Sequence, residues 1–127
     1  MDFQFKRHYT RAEAQALLPQ VRLWLQYLSQ LRQRLSEYDE RLAAMLSGGN
    51  DIGGAKINRW VETLGEMKNV LGEFQKRDIQ IKDLDRGLID FPAIIGGKEV
   101  FLCWEQDEEA IEFWHDLSSG YAGRERL

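Results

Sequence analysis

The chain has 127 residues, 43% hydrophobic and 30% charged, with a net charge of −4; it fits one folded domain and lacks the basic excess of a dedicated nucleic-acid binder. Its one cysteine, Cys103, excludes an internal disulfide and a cysteine zinc cluster. No apolar run approaches the roughly 18 residues that span a bilayer, and Met1–Lys6 lacks the apolar stretch of a signal peptide, so the expectation is a cytoplasmic location without membrane contact.

Thr10-Arg11-Ala12-Glu13 matches the capping box, in which threonine and glutamate side chains each satisfy an orphan amide, so a helix should begin near residue 11. Pro19 removes an amide donor and disfavours helical geometry at Leu18, which predicts a break or kink. From Val21 the apolar residues recur every seven positions: Val21, Leu28, Leu35 and Leu42 in one series, Trp24, Leu31, Tyr38 and Met45 in the other. That is the pattern of a coiled-coil seam, and Leu25 and Leu46 widen it.

Ser47–Gly54 reads as a loop by composition. A second heptad run follows, with Ile57, Leu64 and Leu71 in one slot and Trp60, Met67 and Phe74 in the other. Gly65 and Gly72 sit inside it, each costing about 1 kcal/mol against alanine. Close approach of a neighbouring backbone is one reason for them, and a weak helix is the other. The two runs, 10–47 and 56–77, predict a long antiparallel helical hairpin of coiled-coil character. A hairpin leaves apolar surface uncovered, and a homodimer through it would cover that surface. A sheet folded back along the hairpin would do the same within one chain.

After Asp78 the period becomes alternating. Ile79–Lys82 reads as a strand and Asp83–Gly87 as a turn; Gly87–Ile95 and Lys98–Glu105 are strands joined at Gly96-Gly97. Ile111–Trp114 makes a fourth strand, although Asp107-Glu108-Glu109 before it would also suit a helix start. The predicted fold is α+β in a single domain over 1–127, with an antiparallel meander of three or four strands at 78–116 and a tail at 117–127. A two-residue turn sets Ile95 against Lys98, hence Asp90 against Cys103 and Leu88 against Glu105. One face then gathers Ile89, Phe91, Ala93, Val100, Leu102 and Trp104, a core face. The other gathers Asp90, Pro92, Phe101, Cys103 and Glu105, mixing polar and apolar groups.

That mixed face is where a site is expected. Asp90, Glu105, Glu108 and His115 form a candidate set of ligands for a divalent metal, or an acid–base cluster. Cys103, Trp104, Trp114 and Arg124 are further candidates, with Asp116 and Tyr121 nearby in the chain. Each has a plainer reading: Cys103 as an inert buried hydrophobe, His115 as a packing residue, Arg124 as part of a solvated tail.

These residues also carry a resemblance to a prokaryotic family catalogued as a domain of unknown function, number 2203. It covers nearly the whole chain: Tyr9-Thr10, Glu13-Ala14, Leu17-Leu18-Pro19, Lys82-Asp83, Gly87-Leu88-Ile89-Asp90-Phe91-Pro92, Leu102-Cys103-Trp104, Glu108, Trp114-His115, Gly120 and Gly123-Arg124. The family's pattern implies glycine near Asp78 and at Asp107, where this chain departs from it. The resemblance implies no activity, but its signature falls on Asp90, Cys103, Glu108, His115 and Arg124.

Three functional readings follow. The first is a dimeric helical scaffold or interaction module whose sheet docks a protein partner. The second is a metal-binding or hydrolase-like acid–base site on the sheet. The third, nucleic-acid binding through Lys6, Arg7, Arg11, Arg22, Arg124 and Arg126, runs against the acidic balance.

Overall fold

The capping box closes as the sequence predicts. The Glu13 amide donates to Thr10 Oγ1 at 3.1 Å and the Thr10 amide to Glu13 Oε1 at 3.0 Å. Helix α1 therefore starts at Arg11, and in the computed structural model, which describes residues 2–48 and 54–127, it runs to Ser47. Helix α2 spans Gly54–Gln75. Of the loop expected between them, residues 49–53 lie outside the described residues.

Pro19 does not break α1, which continues through it. Pro19 is exposed, while Ala14, Leu18 and Val21 on the same helix are buried at 0–2% exposure. The lost amide bond thus falls on the solvent side, where water can satisfy the freed carbonyl, and packing of the opposite face holds the helix together.

The helices are followed by an antiparallel sheet in meander order: β1 Gln80–Asp83, β2 Leu88–Ile95, β3 Lys98–Glu105, β4 Phe113–Asp116 and β5 Glu125–Arg126. There are five strands rather than three or four. The fifth lies in the segment read as a tail, where two residues pair with Phe113 and Trp114 of β4. So short a strand offers no alternating pattern to detect. The fourth strand sits two residues later than expected, and no helix forms at Asp107–Glu109. The β2–β3 register is the one set by Gly96-Gly97: Ile95 faces Lys98, Asp90 faces Cys103 and Leu88 faces Glu105.

The contacts divide the chain into two units, residues 2–23 with Glu73–Leu127, and Trp24–Gly72. In the first, the core face of the sheet packs under the start of α1. Ile89, Phe91 and Trp104 are fully buried, and Tyr9 meets Phe91 edge-on at 5.6 Å. Burying each such side chain contributes about 1.5–3 kcal/mol. Arg11 Nε donates to the Ile111 carbonyl at 2.8 Å and the Ile111 amide to Gln15 Oε1 at 2.8 Å. Arg22 lies over the Trp104 ring at 4.8 Å and donates to the carbonyls of Gln106 and Glu108 at 2.8 and 2.9 Å. These bonds tie the β3–β4 connection to α1.

The mixed face of the sheet is covered differently. On one side the N-terminal arm crosses it. Phe5 packs on Phe101 at 5.3 Å, the amides of Gln4 and Phe5 donate to Glu99, and His8 Nε2 meets Glu99 Oε2 at 2.7 Å. The amides of Lys6 and Arg7 donate to Asp78 Oδ2 at 3.1 and 2.9 Å. Asp78 has φ 59°, a left-handed conformation in which glycine is the usual residue and aspartate one of the better substitutes. Asp107 is not among the described residues with positive φ, so nothing in the backbone requires glycine there.

In the second unit, Tyr27 donates to Glu66 at 3.2 Å and Trp60 Nε1 to Asp39 at 3.0 Å. Leu28 and Leu31 are fully buried, as their heptad positions predict. On α2 the Trp60, Met67 and Phe74 slot faces inward as expected, with Phe74 1% exposed, but the other slot is shifted: Thr63 and Val70 are buried at 5% and 8%, while Ile57 and Leu64 are 41% and 39% exposed. Thr63 can be buried because its hydroxyl donates to the Arg59 carbonyl at 2.8 Å. Choosing the most apolar residues in the run selects Leu64 and overlooks that satisfied threonine.

Candidate metal centre

Alternation and register assemble the centre. Asp90 on β2 stands opposite Cys103 on β3, and His115 on β4 stands opposite Phe101, one pleat away on the same face. A carboxylate oxygen, the Cys103 sulfur and an imidazole nitrogen lie within 4.8 Å of one another. All three residues are buried, at 2% exposure for Asp90, 0% for Cys103 and 2% for His115. They sit on the face that α1 does not cover.

The hydrogen bonds fix the imidazole. His115 Nδ1 donates to the Asp116 carbonyl at 2.7 Å, because a carbonyl can only accept. His115 Nε2 and Asp90 Oδ2 are 3.0 Å apart, within hydrogen-bond distance. Asp90 Oδ1 is buried without a hydrogen-bond partner among the described residues. Burial raises the Asp90 carboxyl above its ordinary value, against the opposing pull of His115, Lys82 and the Cys103 thiol. Burial also pushes the Cys103 thiol up to about 12, and the Asp90 charge adds to this while Arg124 opposes it. Without an ion, Cys103 is thus a protonated thiol at neutral pH.

The other candidates take different places. Glu105 accepts from Arg86 Nε at 2.9 Å. Glu108 is held by the Arg124 fork, Nη1 to Oε1 at 3.1 Å and Nη2 to Oε2 at 2.9 Å, and its Oε1 also accepts from the Glu105 amide at 2.8 Å. Both carboxylates are therefore committed to arginines, and Cys103 stands where the carboxylates were expected beside Asp90 and His115. Arg124 lies over the ring of Phe113, the β4 residue paired with Cys103, at 3.9 Å. Trp104 points to the core face, where its Nε1 donates to the Glu108 carbonyl at 2.9 Å. Trp114 pairs across from Leu102 and is half-buried. The Asp116 carbonyl, which fixes the imidazole, was not anticipated, since a backbone acceptor leaves no mark in residue type. Of the basic residues, Arg11, Arg22 and Arg124 spend their donors on internal acceptors.

A thiol, an imidazole and a carboxylate form a donor set suited to a borderline-soft divalent ion. Zinc bonds of about 2.0–2.3 Å place tetrahedral donors about 3.3–3.7 Å apart, so side-chain shifts on the order of 1 Å would close this group on an ion. As thiolate and carboxylate the group carries two negative charges, which with a neutral imidazole balance a divalent cation in a buried place.

No curated protein and no solved structure matches the chain. A family model does match, over residues 7–127, and its description is "Uncharacterized conserved protein (DUF2203)". Essentially the whole chain, including Asp90, Cys103, His115 and Arg124, lies within that match, and the protein belongs to this family.

Proposed function

We propose that this protein binds a divalent, thiophilic metal ion, zinc being the best fit, through Asp90, Cys103 and His115. One observation carries this reading: three ligands of different chemistry converge within 4.8 Å in a buried place. The unpartnered Asp90 Oδ1 adds to it, because a metal bond would satisfy that oxygen. Complete burial of the ligands favours an ion that is held over one that turns over a substrate. Glu105 and Glu108, candidate ligands by residue type, act here as anchors for Arg86 and Arg124. The test is a zinc titration of the purified, metal-stripped protein beside Cys103→Ala. That variant removes the soft donor and leaves the Asp90–His115 pair intact. One zinc per chain in the parent and none in the folded variant supports the reading; equal binding in both refutes it.

A second reading rests on the helices. Ile57, Val61 and Leu64 form an apolar stripe on α2, 41%, 54% and 39% exposed, and Leu46 is 64% exposed. The Tyr27–Glu66 and Trp60–Asp39 bonds support an antiparallel hairpin, and the stripe supports its use as a dimeric scaffold or interaction module in the cytoplasm. Leu31 is fully buried within its own chain, so a charge there would attack the fold. Val61→Glu is the better probe. A dimer by light scattering that becomes a monomer in this variant supports the scaffold, and a monomeric parent removes it.

A further inference from the structure

Five side chains of the first unit form an alternating stack at the C-terminal edge of the mixed face. Arg86 lies over Tyr121 at 4.4 Å, Arg124 over the same ring at 4.3 Å, Arg124 over Phe113 at 3.9 Å, and Arg126 over Phe113 at 5.2 Å. Each cation has its own carboxylate: Arg86 with Glu105 at 2.9 Å, Arg124 with Glu108 at 2.9 Å, Arg126 with Glu112 at 3.7 Å. In the middle sits Arg124, stacked on Phe113, the β4 residue that pairs with Cys103. The stack thus ties the last segment of the chain to the edge of the centre.

The backbone holds that segment lightly. β5 contributes two paired residues, supplemented by the Leu127 amide donating to the Glu112 carbonyl at 2.8 Å. Its start is Gly120, with φ 66° and ψ −169°, a region that only glycine visits freely. The single-turn helix Tyr121–Gly123 follows, and a Cβ at Gly123 would stand 2.9 Å from the Ser119 Cβ. The arm on the other side is held more firmly. Amides of Gln4, Phe5, Lys6 and Arg7 all donate to carboxylates, and the Tyr9 amide donates to the Pro92 carbonyl at 2.7 Å.

We infer that Gly120–Leu127 is a hinged cover over the Asp90–Cys103–His115 centre, bolted by Arg124, and that it is the way in and out for the ion. The route for the ion rests on the metal reading above; the cover itself does not. Opening separates Arg124 from Glu108 and Phe113 and parts Tyr121 from the guanidinium groups of Arg86 and Arg124. The bolt consists of ion pairs and cation–ring contacts; Arg124 is 15% exposed and its neighbours Arg86 and Arg126 are 43% and 70% exposed, so salt weakens the outer contacts of the stack, where it would leave an apolar cover unchanged or tighter.

The experiment measures labelling of Cys103 by a chromogenic thiol reagent at mildly alkaline pH, and zinc release to a chelator in parallel. The proteins are the full chain, Tyr121→Ala, and Phe5→Ala as a comparably truncated variant of the opposite arm. Tyr121→Ala should label about tenfold faster or more, having lost both ring contacts, and release zinc faster at unchanged stoichiometry. The parent should label faster as salt rises, and Phe5→Ala should stay near the parent. Equal labelling of parent and Tyr121→Ala, or acceleration in Phe5→Ala alone, overturns the cover. Faster labelling in Tyr121→Ala with no zinc bound to any of the proteins supports the cover, overturns the ion route and refutes the metal reading.

Discussion

Replacing His115 by alanine should destabilise the metal-free protein severely, and the loss should depend on pH. Among the described residues the imidazole is the hydrogen-bond partner of the Asp90 carboxylate, and both side chains are at most 2% exposed. Its removal strands a buried carboxylate, which costs about 3–5 kcal/mol. At about 3 °C per kcal/mol for a chain of this size, the midpoint should drop by roughly 10–15 °C. Removing both partners together, as Asp90→Leu with His115→Leu, leaves no stranded charge and should cost far less than the two single changes summed. The sign of the pH effect follows from Asp90. Burial already raises its carboxyl, and losing His115 removes the largest opposing influence. A group with a raised folded value contributes stability that is fully present below its unfolded value and is lost as pH rises through the folded one. The gap between parent and His115→Ala should therefore be small in acid and widen toward neutral pH. Urea denaturation from acid to neutral pH, with chelator present, measures it. A loss under about 1 kcal/mol at neutral pH, or a gap indifferent to pH, would refute this account of the pair.

Other consequences are simpler to check. Pro19→Ala restores an amide donor on the exposed side of α1 and should stabilise the protein by about 1–3 kcal/mol in chemical denaturation; a neutral result would mean that the helix has already adapted around the ring. Gly65→Ala adds a Cβ that meets nothing within 4 Å, so it should stabilise α2 by up to about 1 kcal/mol, whereas destabilisation would show that another chain approaches there. Burial works against the Glu99 carboxylate, but bonds from His8 and the amides of Gln4 and Phe5 prevail and hold it below the ordinary value of 4.5. Its contribution to the N-terminal arm is present above that value and lost as pH falls through the depressed one. Amide exchange at Gln4 and Phe5 should accelerate there relative to amides of the core strands.

The parts of the fold legible in the residues are those governed by local rules. The capping box at Thr10 and Glu13 depends on four consecutive residues, and the Gly96-Gly97 turn fixed a register that put Asp90 against Cys103. Pro19 does not break the helix because propensity argues locally, while the packing of Ala14, Leu18 and Val21 holds it together. On α2 the apolar count favoured Leu64 over Thr63, because a satisfied hydroxyl cannot be seen in residue type. The site was half legible. Asp90 and His115 lie together in the candidate cluster, but that Glu105 and Glu108 turn to arginines instead depended on where those arginines lay. Arg86 and Arg124 claim Glu105 and Glu108 through contacts 19 and 16 residues apart in the chain, which no spacing rule encodes.

The most direct measurement is the zinc content of the purified, untagged protein by elemental analysis after exposure to zinc and removal of the excess, with Cys103→Ala treated alike. The account predicts one ion per chain in the parent and none in a variant whose circular dichroism shows the same helix and sheet. Parent protein without zinc, or a folded Cys103→Ala that keeps it, would contradict the account and leave Asp90, Cys103 and His115 as a polar cluster that serves only the sheet.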